Sequence, residues 1–159
     1  MVFVVLGTQK NQFTRFLDMV EELVKSGEIK EPVVAQIGYT EFKTDSFKCF
    51  SLVSEEEFQR YVSEASVIIT HSGSGALFSA IKKGKKIIAV ARLKKYKEMV
   101  DDHQTELVKK LTEEGYILDG TYSLKDAWAK LDGFTPRRYD FSNTIGETIA
   151  TWIDNDLIK

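Results

Sequence analysis

The sequence predicts an α/β fold: an open, Rossmann-like parallel sheet with helices on both faces. Two observations carry that expectation. Short, uniformly apolar β-branched runs recur along the chain, and segments with the three-to-four spacing of amphipathic helices separate them. Strands apolar on both faces belong to a sheet covered on both sides, and parallel strands require a helical crossover between them.

The elements follow in order. Val2 to Leu6 is a continuous apolar run of strand length, ended by Gly7. Phe13, Phe16, Leu17, Val20, Leu23 and Val24 recur at helical spacing and predict an amphipathic helix. Val33 to Ile37 follows Pro32 as a second strand, and Phe47 to Val53 is a third. Ser54 opens Ser-Glu-Glu-Glu, a capping box with Glu57 at the third helical position, and Val53 and Phe58 flank it at the spacing of a hydrophobic staple. A helix starts there. Val67 to Thr70 is the fourth strand, about Ser74 to Lys83 a helix ended by Gly84, and Ile87 to Val90 the fifth strand. A helix over roughly Asp102 to Glu114 ends at Gly115, and Tyr116 to Leu118 is a short sixth strand. Two further helices are predicted from near Ser123 and near Ser142. The second, over about 142–158, carries Ile145, Ile149, Trp152 and Ile153 on one face. With no repeat, linker or low-complexity tract, residues 1–159 read as one domain.

Composition narrows the function classes. Hydrophobic residues are 43% and charged residues 29%, the values of a soluble globular chain. A net charge of −2 favours neither nucleic acid nor an acidic surface as partner. Cys49 is the single cysteine, which suits a reducing compartment. No apolar run approaches the roughly 20 residues that span a bilayer. Met1 leads directly into a strand, without the basic segment and cleavage site of a signal peptide. The expectation is a cytoplasmic protein.

In a sheet of this kind ligands bind outside the carboxyl ends of the strands, near a topological switch point. Two predicted strand-end loops carry chemistry. Thr70 to Gly75 (THSGSG) follows the fourth strand and opens a helix. Gly73 and Gly75 allow close approach to a ligand, the helix start offers unpaired N–H groups, and Ser72 and Ser74 add hydroxyl donors. That is a site for a diphosphate; equally, it is a tight turn whose glycines serve packing only. His71 stands at its mouth, where an imidazole donates hydrogen bonds to oxygens or carries a proton near neutral pH. The default role of a lone histidine is to satisfy backbone groups at a strand end. The second loop, Ala91 to Gln104, sets Asp102, His103 and Gln104 at a helix start, with donors and acceptors suited to sugar hydroxyls. Asp101 or Asp102 also suits an N-cap. The chain has two histidines, and each lies in one of these loops.

From Lys82 to Lys97 eight residues are basic and none is acidic. A solvated face is the usual fate of such a run, and attraction for a diphosphate or anionic headgroups is the functional alternative; Arg92 is counted among the ligand-binding candidates. Gly7-Thr8 closes the first strand on the same sheet edge. Asp154 to Asp156 has the D-x-D spacing of some metal-dependent transferases but sits in the terminal helix, which favours a solvated tail. No residue set has metal-ligand spacing, and no nucleophile–base–orienter set is legible.

FVVLGT, QIGYT and VIITHSGSG, followed by KKGKKIIAVARLKKYKEMVDDHQTEL, resemble in order and spacing the C-terminal donor-binding domain of GT-B glycosyltransferases of the family 28 type. The likeness covers about Met1 to Gly120. It is greatest to the small stand-alone subunits of split enzymes: the bacterial exopolysaccharide and capsule β-1,4-galactosyltransferase subunit, and the eukaryotic subunit that helps add N-acetylglucosamine to a dolichol-linked sugar. The combination of H-x-G-x-G, R-x-K-K-Y and D-D-H-Q is specific, whereas each piece alone is not.

The resemblance implies a hexosyltransferase subunit that uses a UDP-sugar, with UDP-galactose favoured, and no metal or other cofactor. It implies a lipid-linked saccharide acceptor in exopolysaccharide or capsule synthesis. A separate membrane-associated subunit would bind that acceptor and recruit this chain to the inner membrane face. Ser72 to Gly75 would hold the diphosphate, with His71 the catalytic candidate. Asp102, His103 and Gln104 would face the sugar, Gly7 and Thr8 would line the cleft, and Leu52 and Val53 would cover the uracil. Ser79 stands where many relatives carry a ribose-binding glutamate. Ser74 and Ala91 stand where several bacterial relatives have proline. A non-catalytic nucleotide-sugar module and a sugar-nucleotide epimerase-like enzyme are the alternatives.

Overall fold

The computed structural model describes residues 1–140. The strands are β1 (Val2–Val5), β2 (Val33–Gln36), β3 (Lys48–Phe50), β4 (Val67–His71), β5 (Lys86–Val90) and β6 (Leu118–Asp119). They form one sheet in the order β3-β2-β1-β4-β5-β6, and each of its pairings is parallel. The helices are α1 (Thr14–Lys25), α2 (Glu55–Glu64), α3 (Ser74–Lys82), α4 (His103–Glu113) and α5 (Leu124–Ala129).

Strand alternation sorts the core into two layers. Val2, Val4, Ile69, Ile88 and Val90 face Phe16, Leu17 and Val20 of α1 together with Leu124 and Ala127 of α5. Phe3, Val5, Ile68, Ile87 and Ala89 face the other way. They pack on Val62 of α2, Leu77 and Ile81 of α3, and Val108 and Leu111 of α4. Helices therefore cover both faces, and this is why the central strands carry apolar residues on both sides. The chain winds outward from β1 through β2 to β3, then returns to place β4 on the other side of β1. The switch point lies between β1 and β4.

Local chemistry accounts for most boundaries. Ser54 accepts from Glu57 N while the Glu57 side chain accepts from Ser54 N, the expected capping box, worth about 1 kcal/mol. Ser123 caps α5 by accepting from Asp126 N, as its position predicts.

The sixth strand differs from expectation. It begins at Leu118, because Gly115 N bonds Thr112 O and Tyr116 N bonds Leu111 O at the end of α4. That glycine-centred helix stop consumes the Tyr116 backbone, so the pairing to β5 starts at Ile88–Leu118. The third strand is also shorter than expected, which leaves Leu52 and Val53 outside the sheet. The helix predicted over about 142–158 and Asp154 to Asp156 lie outside the described residues. No helix among the described residues is long and apolar enough to cross a membrane.

Candidate functional site

A cleft of about 920 Å³ opens at the carboxyl ends of β1 and β4. Val5, Gly7 and His71 line its floor, and Ser72 to Ala76 form the wall that starts α3. Met99 to Asp101 with His103, Gln104 and Leu107 form a second wall, and Leu52, Val53, Glu55, Phe58 and Gln59 a third.

His71 is 6% exposed, with Nδ1 3.3 Å from Val5 O. A carbonyl only accepts, so Nδ1 carries the hydrogen and Nε2 is left as an acceptor. Burial, and secondarily the nearby Arg92 cation, lower its pKa to about 4. The imidazole is therefore neutral at pH 7, and its Nε2 is not the hydrogen-bond donor to phosphate that the sequence suggests. Its bond to Val5 is the backbone role expected of a strand-end histidine.

The glycines of the loop divide between the two roles that the sequence left open. A Cβ on Gly73 would lie 1.9 Å from His71 Nε2, and one on Gly7, at φ +78°, would lie 2.4 Å from it. Both glycines exist to accommodate the ring. A Cβ on Gly75 would meet nothing within 4 Å, so only there does a missing side chain leave open space. α3 begins behind Gly73 without a side-chain cap, so its first N–H groups and positive dipole end are available to an anion.

Gln104 Oε1 accepts from Ser72 Oγ at 2.8 Å and from Arg92 N at 3.1 Å. Two consequences follow. The Ser72 hydroxyl proton is committed within the protein, so Ser74 is the serine with a donor to offer. The amide nitrogen of Gln104 is the group it has left for the cleft. Asp102 does not line the cleft; its Oδ1 accepts from Lys94 N at 2.8 Å and so closes its own loop. Asp101 does line it, with Oδ1 accepting from His103 N at 3.0 Å.

Arg92 also lies outside the lining. It is 1% exposed, donates to Asn11 O at 2.9 Å and stacks over Phe13 at 4.5 Å, tying β5 to the chain after β1. Burial pulls its pKa down to about 10, with Glu98 opposing, so it stays cationic at neutral pH.

Residues 1–138 match the family model described as glycosyltransferase family 28 C-terminal domain. The chain belongs to that family. It is 29% identical, over 76 residues, to the UDP-N-acetylglucosamine transferase subunit ALG13 of Mus musculus and, equally, to that of Homo sapiens. That stretch is 48% of this chain and 6% of each relative. In fold the chain resembles the NMR structure of ALG13, with a TM-score of 0.57 and 15% identity over 85% of this chain and 87% of that one. It also resembles the glycotransferase of kitacinnamycin, with a TM-score of 0.55 and 20% identity over 82% of this chain and 34% of the other.

Of the residues singled out in this family 28 domain, Gly7, Thr8, His71, Ser72, Gly73, Ser74, Gly75, His103 and Gln104 line the cleft, whereas Arg92 and Asp102 support it from behind. Half of the basic run, Arg92 included, ties parts of the fold together. Lys83 donates to Gln59 O within α2, Lys85 to Ser63 O at its end, and Lys86 to Leu131 O. Sequence reasoning missed Glu55, Gln59 and Asp101 in the lining, although the capping box had already set Glu55 at the carboxyl edge of β3. It also missed the pair of Arg15 with Glu98. Arg15 Nε donates to Glu98 Oε1 at 2.8 Å and Nη2 to Oε2 at 2.9 Å, while Arg15 also grips the Ala91 and Thr121 carbonyls. No group of three or more His, Cys, Asp or Glu among the described residues is arranged to hold a metal ion.

Proposed function

We propose that this family 28 domain binds the donor in a UDP-sugar-dependent, inverting glycosyltransferase and works with a separate acceptor-binding subunit on a lipid-linked saccharide. The observation that carries this reading is the uncapped start of α3 opening into a cleft at the β1–β4 switch point. In this scheme the diphosphate sits against the first N–H groups of α3 and the Ser74 hydroxyl. That cradle stabilises the charge developing on the leaving UDP and needs no metal. The hexose faces His103 and the Gln104 amide nitrogen, and uracil lies against Leu52 and Val53. His71 is the catalytic candidate, through Nε2 as proton acceptor once the adjoining diphosphate raises its basicity.

Galactose is the hexose we propose, on the resemblance of H-x-G-x-G and D-D-H-Q to the bacterial exopolysaccharide and capsule enzymes. The relatives named for UDP-N-acetylglucosamine supply the competing donor. The acceptor subunit would hold the complex at the inner face of the membrane. A binding-only module is the second reading, favoured by Ser79 in place of the usual glutamate.

Calorimetric titration with UDP, GDP, their hexose conjugates and NAD tests the donor. UDP and one UDP-hexose should bind, whereas binding of GDP or NAD without UDP contradicts the reading. Donor binding without transfer, in the presence of the co-purified partner and a lipid-linked acceptor, supports the binding-only module.

A further inference from the structure

Two side chains on the third wall of the cleft and one behind it form a directed chain of hydrogen bonds. Ser79 Oγ, on α3, donates to Gln59 Oε1 on α2 at 3.2 Å. With its oxygen so fixed, the Gln59 amide turns its nitrogen to Glu55 Oε1, 2.8 Å away and one turn earlier on α2. Glu55 and Gln59 both line the cleft, and among the described residues Glu55 Oε2 takes no protein donor. A serine hydroxyl thus sets an amide, and the amide sets a carboxylate at the cleft wall.

Placement gives this relay a ligand chemistry. Ser79 lies five residues after Ser74 on α3, about 7.5 Å along the axis from the uncapped helix start. Leu52, Val53 and Phe58 flank Glu55 on the same wall, with Leu52 47% exposed. Anion-binding N–H groups, then a carboxylate acceptor, then an apolar surface is the order of phosphate, ribose and base in a nucleotide. A carboxylate is acceptor-only and suits the two hydroxyls of a ribose, both of which donate.

We propose that Glu55, oriented by Gln59 and Ser79, accepts hydrogen bonds from the ribose hydroxyls and makes the cleft selective for ribonucleotides over 2′-deoxyribonucleotides. This rests on the nucleoside diphosphate reading of the cleft. Glu55 is the contacting residue, and Gln59 and Ser79 are positioning residues that act through it.

Dissociation constants for UDP and 2′-deoxy-UDP in the wild type, Glu55→Ala, Ser79→Ala and Glu56→Ala test it. Glu56 is exposed, adjacent in sequence and outside the cleft. The wild type should prefer UDP. Glu55→Ala should lower that preference by about fivefold, the loss of one hydrogen bond, and Ser79→Ala should lower it less, in the same direction. Glu56→Ala should leave it unchanged. Removing a negative charge near the diphosphate alters both affinities alike, so the ratio isolates the hydroxyl contact. An unchanged ratio in Glu55→Ala with UDP still bound overturns the ribose assignment alone. Failure of the wild type to bind UDP overturns the nucleotide reading beneath it.

Discussion

On the floor of the cleft His71 is 6% exposed, its ring is wedged between two glycines, and its Nδ1 is held by Val5. On the rim Asp101 and His103 are exposed, as is Asp102 just outside it, and both carboxylates are spent on backbone N–H groups of their own loop. The floor is continuous with the core, so a change there alters folding before it alters binding. The rim is free to vary chemically, provided that its loop stays anchored. That anchor is buried: Glu98, at the root of the rim, accepts from Leu93 N and pairs with Arg15 of α1. Binding chemistry and stability are therefore separated within a single cleft.

The largest expected effect tests the anchor. Glu98→Ala strands a mostly buried Arg15 without its carboxylate and should cost about 3 kcal/mol in urea denaturation. A loss below about 1 kcal/mol would mean that the rim is held by something else.

Next comes the floor's response to acid. An unfolded histidine titrates near 6.5 and His71 near 4, so between those values the unfolded chain binds the extra proton. The stability linked to neutral His71 is complete above pH 6.5, falls as pH drops toward 4, and totals about 3 kcal/mol. Stability measured against pH should show this slope in the wild type but not in His71→Asn. The same slope in both proteins would show that His71 is not the buried neutral group described here.

A smaller contrast lies within one loop. Gly73→Ala drives a methyl into the His71 ring and should cost about 2 kcal/mol. Gly75→Ala meets open space and should stay within about 0.5 kcal/mol of wild type. Thermal unfolding of the pair decides it, and equal losses would erase the distinction between packing glycine and open glycine.

What the sequence could convey follows from the range of the interactions. The strands, the Ser54 capping box and the Gly115 helix stop are set by neighbours within a few residues, and the fold was legible from them. That most of the candidates line one cleft was legible because strand ends and glycine turns lie on one sheet edge. Arg92 was misplaced among ligand contacts because its partners at Asn11 and Leu6 are more than 80 residues away in the chain. Arg15 and Glu98 are 83 residues apart and leave no periodic trace. The protonation of His71 depends on burial, which a sequence motif does not encode.

The separation of floor, cradle and rim has one direct measurement: the ratio of UDP to UDP-hexose dissociation constants in wild type, Ser74→Ala and His103→Ala. Ser74 borders the proposed diphosphate position, common to both ligands, while His103 borders the hexose, which only the donor carries. Ser74→Ala should weaken both ligands alike, by about fivefold, and leave the ratio unchanged. His103→Ala should leave UDP affinity near wild type and weaken the UDP-hexose by about fivefold. Equal weakening of both ligands by His103→Ala would contradict the account and place the hexose elsewhere.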